Sequence, residues 1–294
     1  MRAALVGLVL LLGCPSPDVP CPRPEADLLI EQLLLPGPSI GVATVVHLPD
    51  GRRLLIEVGN DAHDQVVREA VGAADFVLIT HDDEDHAGGA DDLADVLDGA
   101  TDVATLGTHD LGAGVSLEVF LADGVLQLPD GPVDLRAEVP DLDSSDNARS
   151  VGAVLRYGSF DWLFAGDLTG GGKGTPDVES AVALRGDDLV EPGSVDLISL
   201  SHHGIDSSSN DAWLDWLLPA DGARRHALAP TSGGYLSAPD DDVLDRVQAR
   251  LDGFVWAGAP GSLTDEDHPA LKLTGGSVFV QVLTTGSWAV CPTD

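Results

Sequence analysis

Short apolar runs alternate with amphipathic stretches from residue 28 onward, and polar or glycine-containing turns close each one. "LLIEQLLL" (28–35), "IGVATVVHL" (40–48), "RRLLIEV" (52–58) and "DFVLIT" (75–80) are aliphatic and β-branched without helical spacing, which predicts strands. "DAHDQVVREAVG" (61–72) has its apolar positions three and four apart and predicts a helix. Later, "VGAVLRYG" (151–158) and "DWLFAGD" (161–167) predict a hairpin turning near Gly158 and Ser159. Beyond it, "VDLISLS" (195–201), "RHALAP" (225–230), "PALKL" (269–273) and "SVFVQVL" (277–283) read as strands. "NDAWLDWLLP" (210–219) and "PDDDVLDRVQARL" (239–251) read as helices. Strands in both halves with helices between them indicate an α/β sandwich rather than one doubly wound sheet.

With 294 residues, 44% of them hydrophobic, the chain can bury a full core. Residues 1–13 have one early arginine and a short apolar run, too short for a membrane span and suited to a signal peptide. The segment resembles a lipoprotein signal with Cys14 as the lipidated residue, although an ordinary secretory signal fits as well. Either reading puts the mature domain outside the cytoplasm, and the lipoprotein reading puts it in the cell envelope, touching membrane only through an anchor at Cys14. Residues 14–26 are proline-rich and read as a stiff spacer, leaving 27–290 as a single domain. In an oxidising compartment Cys21 and Cys291 suit a disulfide joining the two ends.

Fifteen Lys and Arg face 49 Asp and Glu, for a formal charge of -34. Such a surface repels phosphate backbones and makes polymeric nucleic acid a poor partner without a local positive site. A candidate for that site is "LITHDDEDHAGG" (78–89), where two histidines and four carboxylates crowd the end of an apolar strand. Bringing them together is costly unless a cation sits among them. The stretch between the strand and Gly88-Gly89 reads as a loop, the glycines allowing a tight turn before a helix in "ADDLADVLDGA" (90–100). On it His81, Asp83, Asp85 and His86 offer the imidazole and carboxylate ligands that divalent metals take.

"THDDEDHAGG" resembles the first metal motif of the metallo-β-lactamase superfamily, in the form typical of ComEC-type soluble domains of DNA-uptake proteins. Three further segments follow in that family's order. "DNARSVGAVLRYGSFDWLFAGDL" (146–168) is similar to its N-x-x-S, hairpin and Gly-Asp segment, which implies that Asp167 bridges two metals. "LISLSHHGIDSSSN" (197–210) is similar to its His-His-Gly-Ser segment. One of His202 and His203 then completes a metal site, and the other contacts substrate or supports a ligand. "APTSGGYLSAPDDDVLDRVQA" (229–249) is similar to a segment ending in Gly-His-Pro, with Ala238 where that family has histidine. Ile205 stands where it has serine, so that hydroxyl is absent or comes from Ser207 or Ser208.

The resemblance implies a four-layer αβ/βα sandwich and a site for two divalent ions, Zn²⁺ first with Mn²⁺ competing. The implied ligands are His81 and Asp83 for one ion, Asp85, His86 and His202 or His203 for the other, and Asp167 between them. Asp83, Asp85 and the histidine pair, His203 included, are the candidates for orienting an attacking water or moving its proton. The implied activity is hydrolysis of a phosphodiester or other phosphoester. A lactone, amide or ester, or a non-catalytic metal-stabilised scaffold, are the alternatives.

Other features carry less. "GDLTGGGKGT" (166–175) lacks a Ser or Thr after Lys173 and has the wrong glycine spacing for a nucleotide phosphate loop. It reads as a flexible loop near the site. Trp213, Trp216 and Leu217 share a helical face and read as core. His47, His63, His109, His226 and His268 read as surface or internally satisfied residues.

Overall fold

The computed structural model describes residues 27–191, 193–223, 225–231, 238–258 and 268–292. The leader, the spacer with Cys14 and Cys21, and residues 232–237 lie outside them. Cys291 is disulfide-bonded, and the expected partner Cys21 lies outside the described residues.

The chain lays down β1 (Leu28–Gln32), β2 (Thr44–His47), β3 (Arg53–Ile56), β4 (Phe76–Leu78) and β5 (Thr101–Asp102) in a first sheet. A second sheet takes β6 (Gly107–Gly112), β7 (Val115–Ala122), β8 (Val125–Leu128), β9 (Gly131–Asp134), β10 (Gly152–Tyr157), β11 (Phe160–Phe164), β12 (Leu197–Ser199), β13 (His226–Leu228), β14 (Val255–Ala257) and β15 (Leu271–Leu273). The chain then returns with β16 (Val278–Val282) and β17 (Trp288–Pro292), giving the order β17-β16-β1-β2-β3-β4-β5. In each sheet antiparallel pairs pass into parallel ones: β3, β4 and β5 in the first, β11 through β15 in the second.

Among the described residues the α-helices are α1 (Asp64–Val71), α2 (Glu84–Ala87), α3 (Ala94–Leu97), α4 (Val178–Ala183), α5 (Asp211–Leu217) and α6 (Asp241–Gln248). Side chains alternate along each strand, so every sheet has two faces. Ile30, Val46, Leu54 and Val280 meet Leu117, Ala153, Leu155 and Trp162 in the layer between the sheets. Val154, Leu163 and Ile198 face outward and are covered by Val182, Trp213, Leu214, Val243 and Leu244 of the helices. On the far side Val45 and Leu55 are covered by Val67, Val71 and Val96. These layers form the expected mixed α/β sandwich of two large sheets with few helices. Trp213, Trp216 and Leu217 are all buried on α5, each contributing about 1.5–3 kcal/mol.

Four local expectations change. Residues 84–87 form a helical turn instead of a loop, and the helix expected over 90–100 shrinks to α3 because turns occupy the residues before it. The strands of 101–134, β14 and β17 were not foreseen. In β6, "GTHDLG" buries only Leu111, so its alternation is too weak to announce a strand. Gly88 is right-handed at φ −59, and the glycine pair is needed for space: a Cβ on Gly89 would lie 2.8 Å from the Val58 carbonyl oxygen.

His63 is solvent-inaccessible beside Gly41 and Gly59. Its burial pushes the imidazole pKa down, against the opposing pull of the Pro36 carbonyl and Asp61. The unfolded chain therefore binds a proton at this site more readily than the folded one, so the stability it contributes is present above pH ~6.5 and fades as pH falls below that. Urea midpoints at pH 7.5 and 5, with chelator present, should drop less on acidification in a His63→Gln variant than in the parent. Equal drops would refute the assignment.

Candidate metal centre

The site lies where the carboxyl ends of parallel strands from the two sheets meet, the usual place for chemistry in α/β folds. From the first sheet, Glu57 follows β3, while Thr80 and His81 follow β4, with α2 supplying Asp85 and His86. From the second, Asp167 follows β11 and His202-His203 follow β12. A hydrogen bond from the His202 N–H to the Gly166 carbonyl (3.0 Å) ties the two second-sheet loops together.

Asp167 is at the centre. His86 Nε2 is 3.1 Å from its Oδ1, and His203 Nε2 is 3.2 Å, His202 Nε2 3.6 Å and His81 Nε2 3.9 Å from its Oδ2. Asp85 Oδ2 lies 3.3 Å from His203 Nε2 and 3.7 Å from His86 Nε2, and Asp83 Oδ2 lies 3.5 Å from His81 Nε2. All seven side chains singled out in the sequence thus converge. Asp83 is the most open, its side chain 40% exposed at the mouth.

Burial alone would oppose charge on Asp167, but the facing imidazoles of His203 and His86 outweigh it and hold the carboxyl well below the usual range. Burial likewise resists protonation of His86 and His203. The carboxylates of Asp167 and Glu57 lift His86 well above 6.5, and Asp167 with Asp85 lifts His203 to about 9. On His202 burial dominates and pushes the pKa down. The pocket's balance of charge therefore favours cations, whether protons or metal ions.

Glu57 was not foreseen. Its Oε1 accepts from the Thr80 hydroxyl (2.5 Å) and faces His86 Nδ1 (3.1 Å), while Oε2 accepts from the Thr80 N–H (3.0 Å). Having given its proton to Glu57, the Thr80 hydroxyl is left to accept from His81 Nδ1 at 3.0 Å. One carboxylate thereby turns Nε2 of both His81 and His86 inward, the arrangement that fixes the tautomer of metal-binding histidines. Only its place at the end of an apolar strand could have marked it, a signal shared by any polar strand ending. The N-x-x-S residues are explained as well: Asn147 Nδ2 donates to Asp167 Oδ2 (3.3 Å), and the Ser150 hydroxyl accepts from the Asp167 N–H (3.2 Å). Gly166 has φ +50, and a Cβ there would fall 2.3 Å from Thr80 Oγ1, inside the chain that orients His81.

The donor set fits divalent metal. Asp85, His86 and His203 have donor atoms within 4.8 Å of one another, while Glu57, equally close to His81 and His86, is taken up by Thr80 and stands behind their rings. His81 Nε2 is buried without a hydrogen-bond partner, and His86 Nε2 faces Asp167 without hydrogen-bond alignment. Buried imidazole nitrogens left unpaired are costly unless an electrophile occupies the space they face. The site also holds strained backbone: Glu57, His202 and His203 have φ of 58°, 49° and 58°, each costing about 1–3 kcal/mol.

Other sequence features fall elsewhere. Ala238 is buried and its neighbour Pro239 packs on Gly204, so this segment abuts the site without an imidazole. The loop of 170–175 is anchored rather than free, and Lys173 pairs with Asp240 at 2.8 Å. His47, His109, His226 and His268 make local contacts with Glu31, the Thr105 carbonyl, the Trp256 indole and Asp245.

No protein-family model matches the chain, and no curated protein does. Among solved structures it is similar to Tm1679, a metal-dependent hydrolase of the β-lactamase superfamily, at 13% identity and TM-score 0.45, over 80% of this chain and 97% of that one. It is similar to the metallo-β-lactamase fold protein YhfI from Bacillus subtilis at 10% identity and TM-score 0.47, over 80% and 98%. A diphosphatase from the PhnP family aligns at 13% identity and TM-score 0.44, over 90% and 100%.

Proposed function

We propose that the protein is an exported metal-dependent hydrolase acting on a small phosphodiester or other phosphoester. The observation that carries this reading is the convergence of four imidazoles on Asp167, two of which also face Asp85, with the Nε2 of His81 buried and without a hydrogen-bond partner. His81, Asp83, Asp85, His86, Asp167 and His203 are the residues that would hold two divalent ions. Bound there, such ions supply Lewis acidity toward phosphoryl oxygens and acidify water to near neutral pH.

The chain's own groups do the rest. Glu57 backs His81 through Thr80 and His86 directly, with the Nε2 atoms of both turned inward. Asp167 keeps its charge because imidazoles surround it. Asp83, at the mouth, is the carboxylate placed to orient water and take its proton. The carboxylate-rich donor set is harder than an all-histidine one, which brings Mn²⁺ into competition with Zn²⁺. A charge of -34 opposes long polyanions, so the substrate is small rather than polymeric nucleic acid. The envelope location rests on the leader and Cys14. Among the described residues no helix is long and apolar enough to cross a membrane.

Metal content by elemental analysis, and turnover of bis-p-nitrophenyl phosphate beside a lactone and p-nitrophenyl acetate, test the reading. Phosphodiester cleavage that requires added Zn²⁺ or Mn²⁺ is the expected result. Preferred cleavage of the lactone or acetate would overturn the substrate class, and bound metal without any turnover would leave a scaffold.

A further inference from the structure

The adjacent imidazoles of His202 and His203 differ in what holds their Nδ1 atoms. His203 Nδ1 lies 2.8 Å from the Pro230 carbonyl oxygen, which can only accept. Nδ1 therefore keeps its proton, and Nε2 is the nitrogen turned toward Asp167 and Asp85, free to offer its lone pair when a cation displaces the proton those carboxylates attract. His202 Nδ1 instead meets the Ser207 hydroxyl at 2.6 Å.

Ser207 is 2% exposed, and among the described residues its Oγ has His202 Nδ1 as its one hydrogen-bond partner. A buried hydroxyl proton left without an acceptor costs about 1–3 kcal/mol, so the hydroxyl donates to Nδ1. That places the imidazole proton on Nε2. The competing contact is Asn147 Nδ2, 3.4 Å from His202 Nε2 and also 3.3 Å from Asp167 Oδ2, both long beside the 2.6 Å bond on Nδ1. Ser208 cannot substitute, since its hydroxyl is taken up by the carbonyls of Ser201 (2.7 Å) and Ile205 (2.9 Å). The Ser207 carbonyl also accepts from the Gly170 N–H (2.7 Å) and the Thr175 hydroxyl (3.3 Å), which fixes the residue against the loop that follows Asp167.

We propose that Ser207 is a positioning residue that holds His202 as its Nε2–H tautomer, so that His202 presents a hydrogen-bond donor to a substrate oxygen while His203 presents a lone pair to a cation. Ser207 thereby supplies the hydroxyl missing at Ile205. The role toward substrate rests on the hydrolase reading; the tautomer does not.

Long-range ¹H–¹⁵N spectra of the full chain, labelled at histidine and loaded with Zn²⁺, test the tautomer, with His202 assigned from a His202→Gln variant. The expected spectrum has His202 Nε2 protonated and Nδ1 unprotonated. Ser207→Ala should shift these signals toward a tautomer mixture and lower kcat about tenfold at unchanged KM and metal content, and Ser207→Thr should restore both. A wild-type His202 protonated on Nδ1, or a spectrum that Ser207→Ala leaves unmoved, would overturn the proposal. If no substrate is turned over the hydrolase reading fails, and the spectrum still decides the tautomer.

Discussion

Asp167→Ala should lower turnover by about a thousandfold or more and reduce bound metal from about two ions per chain to one or none. The carboxylate is the point on which the site converges: Oδ1 faces His86 Nε2 at 3.1 Å and Oδ2 faces His203 Nε2 at 3.2 Å. No other acidic side chain reaches both edges of the cluster among the described contacts, since Asp85 approaches His203 and His86, and Asp83 approaches His81. The fold should survive the change. Asp167 is the largest source of the raised proton affinity of His86 and His203, so without it their affinity for protons falls, and Glu57 and Asp85 remain as partners for any charge they keep. Elemental analysis, turnover and a urea melt of the metal-free variant separate the effects. A variant that keeps its full complement of metal and its turnover would remove Asp167 from the centre of the site, and one that does not fold would void the reading of its low activity. Asp167→Asn then serves in its place, because it keeps the shape and removes the charge.

The sequence was most legible where apolar patterning and chemistry coincided. Strands β4, β11 and β12 are short apolar runs, and each is followed three residues later by a residue of the cluster, His81, Asp167 or His202, so strand ends and site residues announced each other. His81, Asp83, Asp85, His86, Asp167, His202 and His203 could therefore be gathered before any geometry was known. What stayed hidden depends on contacts distant in sequence. Glu57 acts on Thr80, 23 residues away, and Asn147 on Asp167, 20 away, and neither spacing leaves a local periodicity. The identical residue type at 202 and 203 gave no ground for dividing their roles, because the division comes from Pro230 and Ser207. In the meander from β6 to β9, polar residues and glycines dilute the apolar alternation of β6 and β9, whereas β7 (VSLEVFLA) alternates plainly and was legible.

Strain and burial at the site point the same way. Left-handed backbone at Glu57, His202 and His203 is tolerated only where surrounding contacts determine it. For Glu57 these are the hydrogen bond of its own N–H to the Leu78 carbonyl (2.9 Å) and the two bonds from Thr80. The energy held there aims a carboxylate at two imidazoles from behind, leaving their other nitrogens for the pocket.

Glu57→Ala should accordingly weaken Zn²⁺ binding about 10–100-fold although no role as a direct ligand is required of it. Two losses combine. The Thr80 hydroxyl, no longer donating to a carboxylate, becomes free to donate to His81 Nδ1, which would put that ring's proton on Nε2 and block its lone pair. His86 loses the acceptor facing Nδ1 and with it the same bias. The buried Thr80 N–H also loses its partner, which should cost about 1–3 kcal/mol of stability in the metal-free protein. Glu57→Gln separates the terms, because an amide oxygen at the Oε1 position can still accept from the Thr80 hydroxyl and face His86 Nδ1, while an NH₂ at Oε2 can no longer accept from the Thr80 N–H. Its affinity should fall between those of the parent and the alanine variant. Calorimetric titration of metal-free protein measures the affinities, and denaturant midpoints in chelator measure the stability. An alanine variant as unstable as expected but binding Zn²⁺ at the parent's affinity would show that Glu57 supports the fold alone and does not set the tautomers of His81 and His86.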